Sequence, residues 1–162
     1  MTRTSRTSRT TRTDSLRQLE QEVGVLIRRV RRVIGERAQA VHADLQPAAY
    51  LMLAYLAEHG EHGAERGSVL AELFSIDKGA VSRQLQQLVD LGLVERTPDP
   101  EDGRASLVSA SEEGVRRLVD VADHRREWLD EQLGDWSDDQ LARFVSELGR
   151  YNAALNAPSG RA

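Results

Sequence analysis

Two stretches of this sequence hold side chains whose type and spacing suit charge-assisted recognition. The first is DKGAVSRQLQQLVDLG, residues 77–92. Its apolar positions Val81, Leu85, Leu88 and Val89 fall at i, i+4, i+7 and i+8, which fixes one inward face of a helix. The outward face then carries Gly79, Arg83, Gln86, Gln87 and Asp90, with Ser82 and Gln84 at its flanks and Lys78 in the first turn. A guanidinium donates two parallel hydrogen bonds and matches the O6/N7 edge of guanine, and a carboxamide matches adenine. An ammonium at a helix start suits a phosphate, as does the helix N-terminus itself. Gly79 leaves room for a close approach.

The second stretch is PDPEDGR, residues 98–104, set between two runs of strand character at residues 93–97 and 105–109. Three acids crowd one turn and a single arginine ends it. Asp99 and Asp102 are expected to accept from backbone N–H groups or to grip a neighbouring guanidinium. Gly103 is expected to supply a positive φ at the tip. Arg104 would then be held outward for a narrow minor groove, where negative potential is strongest.

Other chemistries fare worse. His59 and His62 sit in EHGEH with Glu58 and Glu61, and His42 and His124 would have to join them to complete a metal site. The stretch is glycine-rich, so it reads as a polar loop, with metal sensing as an alternative. With no cysteine, disulfides, thiolate catalysis and cysteine-ligated zinc are excluded. No spaced Ser, His, Asp set and no phosphate-cradling glycine loop is present, so neither an enzyme nor a cofactor is expected.

The surrounding sequence must position these groups. A chain of 162 residues with 40% apolar composition suits one domain with an extension. No apolar run approaches the roughly 18 residues of a membrane span, and a cytoplasmic protein is expected. The net charge of −4 hides an asymmetry: residues 1–37 carry ten Arg against four acids, whereas residues 38–162 carry twelve Lys or Arg against twenty-two acids. The opening MTRTSRTSRTTRT has arginine at 3, 6, 9 and 12 and reads as a disordered tail, with a DNA-reaching arm or a targeting peptide as the functional alternatives. From Leu16 a heptad-like seam runs through Leu19, Val23, Leu26, Val30 and Val33, which predicts a long helix to about His42, capped by Asp14 or Ser15. A helix with so wide an apolar stripe is expected to pair with a second copy, the alternative being a single core-facing helix. The cluster Arg28, Arg29, Arg31 and Arg32 is expected to pair with acids of the last helices, with a contribution to DNA binding as the alternative. Further helices are predicted from Pro47 to Gly60, from Ser68 to Phe74, from the Asp77 cap to Gly92, from the Ser111 cap to about Leu133, and from Ser137 to about Ala157. The stretch 58–67 reads as a loop, and the order is α-α-α-α-β-β-α-α.

A short helix, a three-residue break, a capped helix and a hairpin together make a winged helix-turn-helix. Residues 68–114 resemble the winged-helix core of the MarR family of bacterial transcription regulators. The resemblance rests on Leu70-Ala71, Val81-Ser82-Arg83, the run from Leu88 to Arg96, the wing from Asp99 to Arg104, and the helix start from Ser111 to Gly114. It extends over about residues 15–157. Where the family's wing has two adjacent basic residues after the aspartate, Gly103 takes the first place, which leaves more to Arg104. The resemblance implies a mainly α fold with a small β-hairpin, a winged helix-turn-helix core flanked by N- and C-terminal dimerisation helices. The expected organisation is a tail at 1–13, a dimerisation helix at 14–44, the DNA-binding core at 45–110, C-terminal dimerisation helices at 111–157 and a flexible end at 158–162. It also implies a homodimer on near-palindromic double-stranded DNA, commonly a repressor released by a small lipophilic or phenolic effector. His42, Tyr50, Tyr55 and Trp128 are the side chains expected at such an effector pocket, unless they serve as core or interface. The rival reading is a winged helix used for protein contacts without DNA.

Overall fold

The computed structural model describes residues 11–59, 64–103 and 105–156. Six helices and three strands follow in the order α1 (Arg12–Val41), α2 (Pro47–Glu58), β1 (Glu65–Arg66), α3 (Gly67–Phe74), α4 (Lys78–Asp90), β2 (Val94–Pro98), β3 (Ser106–Ala110), α5 (Glu112–Gln132) and α6 (Asp138–Asn156). The chain divides into two compact units at Val121, within α5.

In the first unit, α2, α3 and α4 enclose a core of Met52, Leu53, Leu56, Leu70, Val81, Leu85 and Leu88, closed by Leu93, Val94 and Val108 of the sheet region. The helical spacing seen in the sequence selects these residues. Pro47 starts α2 where its missing N–H costs nothing. The break between α3 and α4 is made by Ser75 in the left-handed region (φ 53°), with the Ile76 N–H donating back to the Ala71 carbonyl at 3.1 Å. Asp77 then caps α4: its Oδ1 accepts from the Ala80 N–H at 2.8 Å. After α4, Gly92 takes φ 68°, the left-handed turn for which a glycine past a helix end is suited.

The sheet is antiparallel with order β1-β3-β2, so the wing hairpin has a third strand. Glu65 pairs with Val108 and Arg66 with Leu107. Sequence reading placed these two residues in a loop; a strand of two residues has no alternation to detect.

The long helix also departs from expectation at its start. Thr11, not Asp14 or Ser15, is the N-cap, and Arg12 and Thr13 are helical rather than part of the tail. Asp14 is the third helical residue and completes a reciprocal capping box, its carboxylate accepting from the Thr11 N–H at 3.2 Å. Residues 1–10, with Arg3, Arg6 and Arg9, lie outside the described residues. Only Ala38 and Val41 of α1 are buried, while Leu16, Leu19, Leu26, Ile27 and Val30 of its apolar stripe are exposed. The last turn of α1 is held from α5, where Arg117 Nη1 donates to the Val41 carbonyl at 3.0 Å and Nε to Glu113 at 2.6 Å.

The second unit comprises the end of α5 and α6. Ser137 and Gln140 cap α6 reciprocally, and Trp136 meets Phe144 edge to face at 5.5 Å. No residue of α6 is buried; Leu141, Phe144, Val145, Leu148 and Leu155 are exposed.

Candidate nucleic-acid interface

Burial of Val81, Leu85 and Leu88 turns the opposite side of α4 to solvent. Lys78, Gly79, Ser82, Arg83 and Gln86 are exposed there, as the spacing predicted. Lys78 and Arg83 make no ion pair among the described residues. Arg83 folds back along the helix, one guanidinium nitrogen lying 3.6 Å from the place a Cβ on Gly79 would occupy. Gln86 donates to Asp90 one turn on at 2.8 Å, which fixes its carboxamide along the helix.

The two other glutamines behave differently. Gln87 is half-buried and donates to the Asp44 carbonyl at 2.7 Å, tying α4 to the α1–α2 connector. Gln84 is half-buried too, and its Oε1 is enclosed without a hydrogen-bond partner. Gln87 is expected on the outward face and Gln84 at its flank; both are half-buried. A single-helix pattern contains no information about the connector that covers that flank.

The acidic turn has a structural explanation. Asp99 is buried, and its Oδ2 accepts from Arg66 Nε at 2.5 Å. Its Oδ1 accepts from the Glu101 N–H at 2.9 Å. Arg66 also lies 3.6 Å from Glu101. Inside the loop the Asp99 N–H donates to the Ala105 carbonyl, and the Ala105 N–H to that of Asp102 at 2.8 Å. The guanidinium that the acids were expected to grip is thus Arg66, one residue before α3. Its hydrogen bond, with that from the Glu101 N–H, holds the Asp99 carboxyl below the usual carboxylate range, and the same pair raises Arg66. Gly103 does not take the positive φ expected of it, and a Cβ there would meet nothing within 4 Å. The loop reverses through the Asp99 and Ala105 hydrogen bonds instead. Arg104 lies outside the described residues.

One cation escaped sequence reading. Arg96, exposed on β2 opposite Val108, makes no ion pair among the described residues. It closes the Leu88–Arg96 run that carries the resemblance, but its place in a strand run gives no sign of a binding role.

Of the residues considered for an effector or a metal, His42, Tyr50, Tyr55 and His59 lie in the first unit. Tyr50 belongs to the core at 8% exposure. Tyr55 packs against Phe74 and against the ring of His59, whose Nδ1 lies 2.8 Å from the Tyr55 carbonyl. His42 Nδ1 accepts from the Asp44 N–H at 3.2 Å. Trp128, in the second unit, is half-exposed with the Arg125 guanidinium 5.4 Å from its ring centre. His62 and Glu61 lie outside the described residues. No helix among the described residues is long and apolar enough to cross a membrane.

A model of the MarR family matches residues 43–105, from the α1–α2 connector to the wing. The HTH-type transcriptional regulator YxaD of Bacillus subtilis (strain 168) is 32% identical over 137 residues, 85% of this chain and 92% of that protein. Among solved structures, RV1404 from Mycobacterium tuberculosis superposes with a TM-score of 0.69 at 20% identity, covering 91% of this chain and 98% of the other. A mutant of MarR from E. coli gives 0.63 at 22% identity, over 82% and 95%. These structures share the fold. The capped helix with its exposed cationic row, the latched wing and the relatives' identity lead to one conclusion: the chain belongs to the MarR family of transcriptional regulators, with that family's DNA-binding winged-helix fold, and not to a family of enzymes.

Proposed function

We propose that the protein is a homodimeric, sequence-specific regulator that binds near-palindromic double-stranded DNA and represses by occluding a promoter. The observation that carries this reading is the exposed row on α4, with Lys78, Ser82, Arg83 and Gln86 on one side of a capped helix. Arg83 is suited to the O6/N7 edge of guanine, Gln86 and Ser82 to neighbouring bases, and Lys78 to a phosphate at the helix start. The wing follows on the same unit and is fixed by Arg66 and Asp99; Arg104 at its tip is assigned to the minor groove, with Asp102 and Gly103 shaping the loop. Regulators of this family act as dimers, and the exposed apolar faces of α1 and α6 support the same assembly here. Two recognition helices would then enter major grooves about 34–36 Å apart. Release by a small lipophilic or phenolic compound belongs to this reading.

Fluorescence anisotropy on DNA from upstream of the protein's own gene tests it, against a scrambled duplex and across a salt series. Selective binding at two protomers per site, weakened by Arg104→Ala, is the expected result. Binding to neither duplex would favour a protein-contact module. Titrating the complex with phenolic compounds tests the release.

A further inference from the structure

Helix α1 is two-sided in charge as well as in hydropathy. At about 100° per residue, Leu19, Val23, Leu26, Val30 and Val33 share one side. Arg17, Arg28, Arg31 and Arg32 fall on the opposite side, together with Gln21, Gly24 and Gly35. No acid lies between Glu22 and Glu36. All four arginines are exposed. Their pairings are local: Arg32 meets Glu36 at 3.5 Å and Arg17 meets Asp14 at 3.8 Å, both exposed pairs on the same helix, which contribute little. Arg28, Arg29 and Arg31 make no ion pair among the described residues. The glycines keep the strip low, and a Cβ on Gly35 would meet nothing within 4 Å.

This placement changes the meaning of the cluster. A second copy seated on the apolar stripe would leave the arginines turned to solvent, so they are not the groups that such a partner would neutralise. The winged helix, meanwhile, is short of positive charge: residues 65–104 hold five basic against eight acidic side chains. Arg66 is committed to Asp99. An acid-rich reader of a polyanion gains from a separate, sequence-independent cationic surface.

We infer that the arginine face of α1, centred on Arg28, Arg31 and Arg32, is a second DNA-binding surface that contacts phosphates without reading sequence. Arg28 and Arg32 are one helical turn apart and Arg31 is beside them, a spacing that serves neighbouring phosphates of one strand. The inference rests on the reading of the protein as a DNA-binding regulator.

The test uses the full chain with Arg28→Gln, Arg31→Gln and Arg32→Gln combined, and a second variant with Lys at the same three positions. Anisotropy is measured on a scrambled 40-base-pair duplex across a salt series. The Gln variant should bind more weakly at low salt, with the salt slope shallower by about 0.9 for each phosphate contact removed. The Lys variant should keep the slope, because charge alone serves a phosphate. Should the triple Gln chain fail to fold by circular dichroism, the single exchanges still report, each lowering the slope by about 0.9. An unchanged slope overturns the inference. So does a wild-type chain that ignores the scrambled duplex, or a loss confined to phosphatidylglycerol vesicles, which would mark a membrane surface. Arg83→Ala on the upstream DNA reads the winged helix separately: selectivity lost there, with an unchanged slope in the α1 variant, sinks this inference alone.

Discussion

Arg83 and Asp99 carry opposite charges and opposite duties. Arg83 is exposed and makes no ion pair among the described residues, and the proposed reading assigns it to a base edge. Arg83→Ala should cost about 1–3 kcal/mol of operator binding and relax selectivity at one base; an equal loss on every sequence, in a panel of single-base operator variants, would make it a phosphate contact instead. Asp99 is buried and paired with Arg66. Its carboxyl is depressed in the folded chain, so its stabilisation is fully present above the unfolded value of about 3.9 and disappears as pH falls through the lower folded value. The wing should therefore be insensitive to pH from 5 to 8 and loosen below about pH 4. Hydrogen exchange at the Glu101 and Ala105 amides checks this, and Asp99→Asn should remove the dependence. The sequence made Arg83 legible because helical spacing alone decides which way it faces. It made Asp99 legible only halfway: a carboxylate in a tight turn needs a partner, but the partner lies 33 positions earlier in the chain, beyond any local pattern.

At the scale of elements, the clearest constraint is where α5 begins. Ser111 Oγ donates to the Gly92 carbonyl at 2.7 Å and accepts from the Gly114 N–H at 3.0 Å, joining the end of α4 to the start of α5. A Cβ at Gly114 would lie 2.3 Å from the Leu93 carbonyl oxygen, a backbone atom that cannot swing aside. Gly114→Ala should therefore destabilise by about 1–3 kcal/mol or more, read as a lower urea midpoint, although alanine favours helices in general. Helix existence was legible throughout, because caps and apolar periodicity agree at Asp77, Gly92, Ser111 and Ser137. What was not legible was the pairing of β1, which two residues cannot signal, and the first turn of α1. There a threonine in a repetitive tail turned out to be the cap, because Asp14 three positions on completes the box.

Taken as a whole, the molecule exposes more apolar surface on α1 and α6 than an isolated chain needs. On the proposed dimer this surface is the interface, and Val30, 43% exposed in the single chain, belongs to the α1 stripe. Val30→Glu should give a monomer by sedimentation velocity and a large loss of operator affinity, while the far-ultraviolet spectrum of the winged helix persists. A dimer that survives with unchanged affinity would place the interface elsewhere. The seam was readable as a seam from the sequence. What covers it was not, because periodicity records that a face avoids water but not what meets it.

The Arg66–Asp99 latch has a consequence in time. Fixing a loop residue costs on the order of 1–2 kcal/mol of backbone entropy, and a loop tied down during folding does not incur that cost again at the moment of encounter. Arg66 ends β1 and immediately precedes α3, so the wing is set as soon as the helix-turn-helix is set. On the proposed reading of a regulator that occupies a promoter, such preparation should lengthen residence: the latch is expected to affect how long the protein stays on its site more than how often it arrives.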